Sequence, residues 1–252
     1  MSIAVERWPL GPGAWFPEHR HRVHQLNWTT RGVIGVAVGA RYWVLPPTRA
    51  LWIPAGTRHR TGATRQAVLH SLYIPADRAD IGHGGPVPVA VDVLLVALAE
   101  HLARTDLSAP ARRRAEGVVM DGLRTLPDAP IDLPDPVDDR ALAVATALHA
   151  DPADARGLDA HAAAAGSSRR TLSRLFVRDT GLTFESWRTR LRLRAGLIRL
   201  AEGAPVSRAA HEVGYSTASA FLAAFRRVTG TTPGRYLDPA RPGEPPRRHD
   251  RV

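Results

Sequence analysis

The sequence of 252 residues contains no cysteine, and all 34 of its Lys-or-Arg positions are Arg. Without cysteine the chain can form neither disulfides nor thiolate metal sites, and it has no cysteine nucleophile. No apolar run approaches the roughly 18–20 residues that a membrane helix requires. The N-terminal segment lacks the basic start and apolar core of a secretory signal. We therefore expect a cytoplasmic protein with no membrane partner.

Aromatic residues are also scarce, at 6% of the chain, but hydrophobic residues reach 44% and charged residues 23%. These values are ordinary for folded proteins and argue against wholesale disorder. At roughly 100–200 residues per domain, the length predicts two modest domains.

Positive charge is concentrated toward the C-terminal end of the chain, whose formal net charge is +10. Residues 91–155 hold 6 Arg against 12 acidic residues, whereas residues 156–238 hold 14 Arg against 6 acidic residues. Phosphates attract such a basic segment whatever the base sequence. A basic segment behind an acidic connector is therefore typical of a nucleic-acid-binding protein.

Short runs of β-branched and aromatic residues fill the N-terminal third of the chain. Residues 33–44, 51–54 and 67–74 are such runs, and turn signals such as Pro46-Pro47 separate them. Strands at intervals of about ten residues predict a small β sandwich or barrel.

The apolar period becomes helical after Val89, which predicts helices over about 88–104 and 109–126. A proline-rich stretch follows that cannot continue a helix and is typical of a linker. The chain is then helical nearly throughout, up to a terminal tail that we expect to be disordered. The resulting assignment is a sensor domain at 1–86, a helical dimerisation or relay segment at 87–126, a linker at 127–137, a DNA-binding domain at 138–238 and a tail at 239–252.

One stretch of the helical segment has the form helix, glycine turn, helix. A short alanine-rich helix precedes Gly166, which can take the left-handed turn, and Ser167 or Ser168 can cap a second helix that ends at Gly181. This form is typical of a helix-turn-helix, whose second helix reads the major groove. By helical spacing, the outer face of that helix carries Arg169, Arg170, Ser173 and Arg174.

The same pattern returns over residues 206–227. Alignment on the two turn glycines, Gly166 and Gly214, leaves the apolar faces out of register, whereas alignment of Phe176 with Phe225 matches them. A longer helix over about 183–201 joins the two units. The repeat favours a double DNA-binding unit over a plain basic helical bundle.

Residues 140–238 resemble the DNA-binding domain of the AraC/XylS family of bacterial transcription regulators. The most specific match consists of Ala209-Ala210-His211-Glu212-Val213-Gly214-Tyr215-Ser216, Phe221, Phe225-Arg226-Arg227 and Gly230-Thr231-Thr232-Pro233-Gly234-Arg235-Tyr236. The resemblance implies double-stranded DNA as the partner, read by two recognition helices in successive major-groove segments about one helical turn apart.

Carried over by position, the first DNA-reading set is Arg169, Arg170, Ser173 and Arg174, and the second is Thr217, Ala218, Ser219 and Leu222. The first set can contact guanine or clamp phosphates. The second set departs from polar base readers, because Ala218 and Leu222 cannot hydrogen-bond to base edges. We expect it to contact thymine methyl groups or mainly the backbone.

Histidines cluster near the N-terminus. His19 and His21 would point to the same face of a strand, and His59 follows a Pro-x-Gly turn that could bring it to that face. The pattern His19-x-His21-x3-Gln25 resembles the first cupin metal motif with Gln in place of Glu, and Pro54-x-Gly56-x2-His59 resembles the second. Sensor domains of this family are commonly cupin-type barrels.

Three interpretations of these four residues, His19, His21, Gln25 and His59, stay open. They could hold a divalent transition metal of the Zn, Ni, Co, Fe or Mn class. They could instead line a metal-free pocket for a small molecule, or they could be structural.

The fold class that follows is a multidomain α+β protein with an N-terminal cupin-like β barrel, a helical connector and an all-α C-terminal domain carrying two helix-turn-helix units. The leading function is a non-enzymatic transcription regulator, controlled by a metal or small effector, that forms a homodimer through the leucine-rich connector. Two alternatives are a cupin metal-dependent enzyme fused to a DNA-binding module and an effector-independent DNA binder.

Overall fold

A computed structural model describes residues 2–78, 81, 84–127 and 130–237. Strands come first along the chain and helices follow. The strands are β1 (Ala4–Leu10), β2 (His24–Arg31), β3 (Ile34–Val38), β4 (Arg41–Leu45), β5 (Arg49–Ile53), β6 (Arg60–Gly62), β7 (Ala67–Ile74) and β8 (Val87–Ala90). The helices are α1 (Val93–Leu102), α2 (Ala109–Gly122), α3 (Asp139–Ala150), α4 (Leu158–Ala164), α5 (Arg169–Thr180), α6 (Phe184–Ala201), α7 (Val206–Glu212), α8 (Ala218–Thr229) and α9 (Pro233–Leu237).

This order of elements confirms the predicted α+β architecture with a helical C-terminal half. The tail that we expected to be disordered, residues 239–252, lies outside the described residues. Within the described ranges, no helix combines the length and the apolar character that crossing a bilayer requires.

The strands form two antiparallel sheets around a common core. One sheet has the order β1-β7-β2-β5-β8, and the other has the order β4-β3-β6. The core shared by the sheets includes Leu10, Ile34, Trp43 and Ile53. The result is the cupin-like arrangement of strands that the sequence predicts.

Strand β5 is apolar on both faces because both of its faces are covered. Leu51 and Ile53 belong to the core between the sheets, whereas Ala50 and Trp52 pack with residues of α1 and α2. Successive side chains of a strand point to opposite faces of the sheet. The two connector helices therefore cover the outer face of the five-stranded sheet.

The helix predicted over about 88–104 begins later than the sequence pattern indicates. Val87–Ala90 is strand β8, which pairs with β5, and α1 begins at Val93. The Asp92 side chain caps α1 by accepting a hydrogen bond from the Leu95 N–H at 2.9 Å. The prediction was wrong at this end because the segment pairs with β5 as an edge strand, where proline is tolerated, and because the helix cap is Asp92.

Residues 130–136, which we call the strap, follow the free edge of β4. The Ile131 N–H donates to the Tyr42 carbonyl at 3.1 Å, and the Leu133 N–H donates to the Ala40 carbonyl at 2.8 Å. Proline cannot donate to a ladder, and the prolines of the strap flank these two donors instead of replacing them. The strap thereby covers an edge that would otherwise present unpaired backbone groups.

The strap lies in the segment predicted as a linker, and it is packed against the protein. Ile131 and Leu133 are 1% and 4% exposed. Ile131 joins a hydrophobic cluster with the C-terminal half of α6, and Leu133 joins the cluster of the first helix-turn-helix. The Trp187 indole also donates to the Pro134 carbonyl at 2.8 Å. The strap therefore touches the barrel and both helical units.

Helix α6 belongs to two hydrophobic cores. Its Trp187 and Leu191 lie in the core of α3, α4 and α5, and its Leu193 and Leu197 lie in the core of α7, α8 and α9. The second core continues into the barrel, where it includes Val33, Tyr42 and Val44.

Ile131 is the most deeply buried side chain named in the strap. Its replacement by Ala should lower the free energy of unfolding by about 2–5 kcal/mol, because it removes buried methyl groups and leaves a cavity. Val137→Ala is the control, since Val137 is 78% exposed and surface changes stay within about 0.5 kcal/mol. Urea denaturation followed by circular dichroism measures both. Equal, small losses for the two variants would show that the strap is loosely attached.

Candidate functional site

The two helix-turn-helix units repeat the same end contacts. The side-chain oxygens of Ser168 and Thr217 cap α5 and α8, and each accepts a backbone N–H three residues on at 3.1 Å. Both helices end at a left-handed glycine, Gly181 at φ 71° and Gly230 at φ 72°. The predicted repeat is therefore present, with Ser168 as the cap of the first recognition helix.

The turn of the second unit is one residue longer than that of the first. Gly166 lies two residues before the cap of α5, whereas Gly214 lies three residues before the cap of α8. For this reason an alignment on the turn glycines fails. Phe176 and Phe225, both fully buried, are the equivalent positions.

Close packing fixes the second recognition helix against α6. A Cβ atom at Gly196 of α6 would lie 2.5 Å from the Phe221 ring of α8. The Arg192 guanidinium of α6 donates to the carbonyls of Pro152 at 2.9 Å and Gly214 at 3.2 Å. It thereby joins the loop before α4 to the turn of the second unit. These contacts hold the two recognition helices in one relative placement.

The predicted DNA-reading residues of the first unit lie in the first two turns of α5. Arg169 donates to the Asp159 carboxylate of α4 at 2.6 Å, so its guanidinium already has an acidic partner on the surface. Arg170 and Arg174 are exposed, and within the described chain neither has an acidic partner. Ser173 is half-buried between them. Arg170 and Arg174 are thus the cations of this helix that are most available to a ligand.

Three of the four predicted residues of the second unit occupy positions that match the first set, but they differ from it in chemistry. Ala218, Ser219 and Leu222 stand where the first unit has Arg169, Arg170 and Ser173. Thr217 uses its hydroxyl oxygen as the helix cap. Leu222 is 37% exposed and is the largest apolar side chain on this exposed side of α8.

Sequence reasoning missed two exposed residues of α8 on the same side. Ala223 is the equivalent of Arg174, and Arg226 lies one turn beyond Leu222. The i+4 spacing from Leu222 was the signal that could have identified Arg226.

Many arginines of the C-terminal segment bind other groups of the protein and so do not add to a free basic surface. The arginines of α6 bind acceptors or acids of the chain itself, namely Arg188, Arg190, Arg192, Arg194 and Arg199. Charge counting alone therefore overestimates the DNA surface. In the described part of this segment, the exposed arginines without an acidic partner are Arg170, Arg174, Arg208, Arg226, Arg227 and Arg235.

The structure brings His19, His21 and His59 together at the barrel. One ligand atom from each lies within 4.8 Å of the others. His19 and His59 also exchange two backbone hydrogen bonds of 3.0 and 2.9 Å. His21 lies outside any strand, so the strand-face argument for it was wrong, although the predicted proximity is present. Gly56, at φ 81°, donates its N–H to the His21 carbonyl at 2.7 Å and turns the chain toward His59.

Backbone carbonyls orient two of these imidazoles. The Nδ1 atom of His19 lies 2.7 Å from the Pro17 carbonyl, and that of His59 lies 3.0 Å from the Thr57 carbonyl. A carbonyl only accepts, so Nδ1 carries the proton and Nε2 presents a lone pair. Burial lowers the pKa of His59 to about 4. Burial and the neighbouring His19 also lower the pKa of His21, so both rings are neutral at pH 7.

Gln25 is oriented by a network inside the barrel. Ser71 donates its proton to Asn27 Oδ1 at 2.5 Å, so its oxygen accepts from Gln25 Nε2 at 3.2 Å. The same Nε2 lies 3.3 Å from the Tyr73 hydroxyl. Gln25 Oε1 is buried and has no hydrogen-bond partner among the described residues. Gln25, His19 and His21 line a common cavity, and His59 lies beside His19 and His21 in the histidine cluster; we call these four residues the acceptor site.

Comparison with known proteins agrees with this division of the chain. Residues 161–238 match the family described as a helix-turn-helix domain, and residues 11–85 match the AraC-like ligand binding domain.

Two regulators are similar to most of the chain. The HTH-type transcriptional regulator NimR of Escherichia coli (strain K12) is 31% identical over 224 residues, which cover 88% of this chain and 82% of NimR. The HTH-type transcriptional regulator RipA of Corynebacterium glutamicum is 30% identical over 231 residues, which cover 88% of this chain and 65% of RipA. Among solved structures, ToxT from Vibrio cholerae matches 94% of this chain and 98% of its own, with 9% identity and a TM-score of 0.38.

The similarity to NimR extends over both halves of the chain. It spans the ligand-binding match and the helix-turn-helix match with one protein whose name is that of a transcriptional regulator. The chain therefore belongs to the AraC family of helix-turn-helix transcriptional regulators.

Proposed function

We propose that the chain binds specific DNA sequences through α5 and α8, and that a metal ion or small effector held by His19, His21, Gln25 and His59 controls this binding. The observation that carries the proposal is that one domain holds the cluster of His19, His21 and His59 and also packs, through Val33, Tyr42 and Val44, against the second helix-turn-helix. The occupant would act by changing the relative populations of DNA-competent and incompetent arrangements.

The two recognition helices would read DNA unequally. Arg170 and Arg174 of α5 can make paired hydrogen bonds to guanine or clamp phosphates, and Ser173 can contact either. Asp159 holds Arg169, which favours a phosphate contact at the edge of the interface. On α8, the exposed Leu222 is suited to a thymine methyl group.

The remaining predicted residues of α8 have smaller parts in this proposal. Ser219 can donate to a base edge or a phosphate, whereas Ala218 allows the helix to approach the groove closely. Thr217 is the cap residue of α8, so its backbone N–H lies at the N-terminus of the helix, where a phosphate can bind. Arg226 would contact a phosphate rather than a base.

Replacement of Arg170 and Arg174 by Ala together should weaken binding to a selected operator by about 1–3 kcal/mol for each base contact that is lost. The operator is obtained by selecting a random duplex library with the full-length protein. Fluorescence anisotropy over a range of salt concentrations measures the affinity and its salt dependence.

Arg7→Ala with Arg31→Ala is the matched control, because both are exposed arginines of the barrel strands β1 and β2 without an ion-pair partner in the described chain. The control removes the same charge and should leave specific affinity nearly unchanged. If the two double variants lose equal affinity, the effect is one of net charge, and the assignment of α5 as a base reader is wrong.

The acceptor site fits a divalent transition metal by its donor chemistry. Neutral imidazoles and oxygen ligands suit the Zn, Ni, Co, Fe or Mn class. His19, His21 and His59 would bind through nitrogen, and Gln25 would bind through its unpartnered Oε1. A histidine that binds a metal usually donates a hydrogen bond from its other ring nitrogen, which orients the ring. In His19 and His59 that nitrogen bonds to a backbone carbonyl. A bound ion would supply positive charge and an open position for a small molecule.

His19→Ala and His59→Ala should each abolish stoichiometric binding of added zinc, because each removes one nitrogen ligand. His70→Ala is the control, since His70 stacks on Trp28 and bonds to Thr30 outside this site. Calorimetric zinc titration and elemental analysis of the purified proteins measure the binding. Zinc retained at one equivalent in His19→Ala and His59→Ala would refute the metal assignment and leave an organic occupant.

We also propose that the regulator is a homodimer formed through α1 and α2. These helices pack on each other and expose three large apolar side chains, Val93 at 85%, Leu94 at 50% and Val118 at 43%. Exposed apolar groups that lie on adjacent elements are typical of an interface.

Val93→Glu with Val118→Glu should shift the protein from dimer to monomer, because two buried carboxylates per protomer would be unpaired. Val137→Glu, an exposed apolar position in front of α3, is the control and should stay dimeric. Sedimentation velocity measures the masses. A wild-type protein that is monomeric at micromolar concentration would contradict the dimer.

A further inference from the structure

A cavity of about 330 Å³ opens beside the acceptor site. Its walls are largely aromatic: the Trp8 ring meets the Phe16 ring at 6.0 Å and the Tyr73 ring at 6.4 Å between centroids, both edge to face. Leu69 and Pro17 complete the apolar part of the wall. The side walls thus offer ring faces and hydrocarbon, with few hydrogen-bonding groups.

The polar groups of the cavity lie together at the acceptor site. His21 Nε2 and Gln25 Oε1 are buried without a hydrogen-bond partner in the described chain, and both residues line the cavity. Burial and the nearby Glu6 carboxylate raise the pKa of Tyr73 to about 12, so its hydroxyl stays protonated. The Gln25 oxygen calls for a donor or a cation from an occupant, and the neutral His21 ring can either accept from or donate to the same group, so a hydroxyl or amino group satisfies both.

We propose that the effector is a flat aromatic molecule with a hydroxyl or amino group, whose ring lies among Trp8, Phe16 and Tyr73 and whose polar group meets His21 and Gln25. The inference rests on the proposed function, because it names the chemical class of ligand for the same site. With a metal in the site, the same oxygen or nitrogen would bind the ion, so the ring assignment does not depend on the metal.

Other ligand classes fit this cavity less well. A sugar carries hydroxyls around its whole ring, and those facing Trp8, Phe16 and Leu69 would lose their hydrogen bonds to water without replacement. An alkyl chain would fill the space, but it would make none of the edge-to-face contacts that favour aromatic pairs. The cavity has aromatic walls and polar groups at one end, and an aromatic ring that carries one donor group therefore fits it best.

The test is calorimetric titration of the full-length protein, both metal-free and zinc-loaded, with three probes of matched size. These are 2-naphthol, decahydro-2-naphthol with the same hydroxyl on a saturated ring, and naphthalene without the hydroxyl. We expect 2-naphthol to bind at least tenfold more tightly than either analogue in both forms of the protein.

Two variants locate the binding. Trp8→Leu should lower 2-naphthol affinity at least fivefold and remove its advantage over the saturated analogue. Trp15→Leu is the control, because Trp15 is a half-buried tryptophan of the same domain that does not line this cavity. It should bind 2-naphthol as the wild type does, and circular dichroism shows that both variants are folded.

Three results would overturn the inference: no binding of 2-naphthol, equal affinity for the saturated analogue, or unchanged binding in Trp8→Leu. The failure of the proposed function looks different. In that case 2-naphthol would bind as expected, but neither it nor zinc would change the affinity for a selected operator. An operator affinity that responds to zinc, in a protein that ignores 2-naphthol, would retain the regulator and reject the aromatic ligand.

Discussion

The burial of one helix in two hydrophobic cores is the constraint on which the arrangement of this regulator depends. Trp187 and Leu191 place the first half of α6 in the first helix-turn-helix core, and Leu193 and Leu197 place the second half in the other core. Neither unit can rotate about α6 without exposing its own core to water. Arg192 adds a direct link between the first unit and the turn of the second. In our account the two recognition helices therefore act as one rigid reader of DNA.

The sensor is joined to this reader by packed side chains. Val33 and Tyr42 of the barrel belong to the same cluster as the second helix-turn-helix, and the strap at residues 130–136 reaches the first. His59 leads directly into β6, which pairs with β3, and β3 pairs with β4. In our proposal a change at His59 passes through these three strands to α6, whose Leu193 and Leu197 share a cluster with Tyr42 and Val44 of β4.

Local sequence patterns were sufficient for the parts of the molecule that are built locally. The capped recognition helices and their glycine stops could be predicted, because each depends on a few neighbouring residues. The packing of the strap could not be predicted, since its prolines indicate only what the segment cannot form. Two further features could not be predicted, because they depend on residues far away in the sequence. These are the bonds of the α6 arginines within the protein and the orientation of Gln25 by Ser71 and Asn27. The proximity of His19 and His59 was predicted from motif spacing, although a backbone bridge, and not a shared strand face, produces it.

Hydroxyl-radical footprinting on a selected operator tests the central claim most directly, because it reports how many DNA segments the reader touches and how far apart they lie. A rigid α6 predicts that each bound protomer protects two segments on one face of the duplex, about one helical turn or 10 base pairs apart. It also predicts that five base pairs inserted between them remove one of the two protections. Two protections that persist at the new spacing, or a single protected segment on the original operator, would contradict the account.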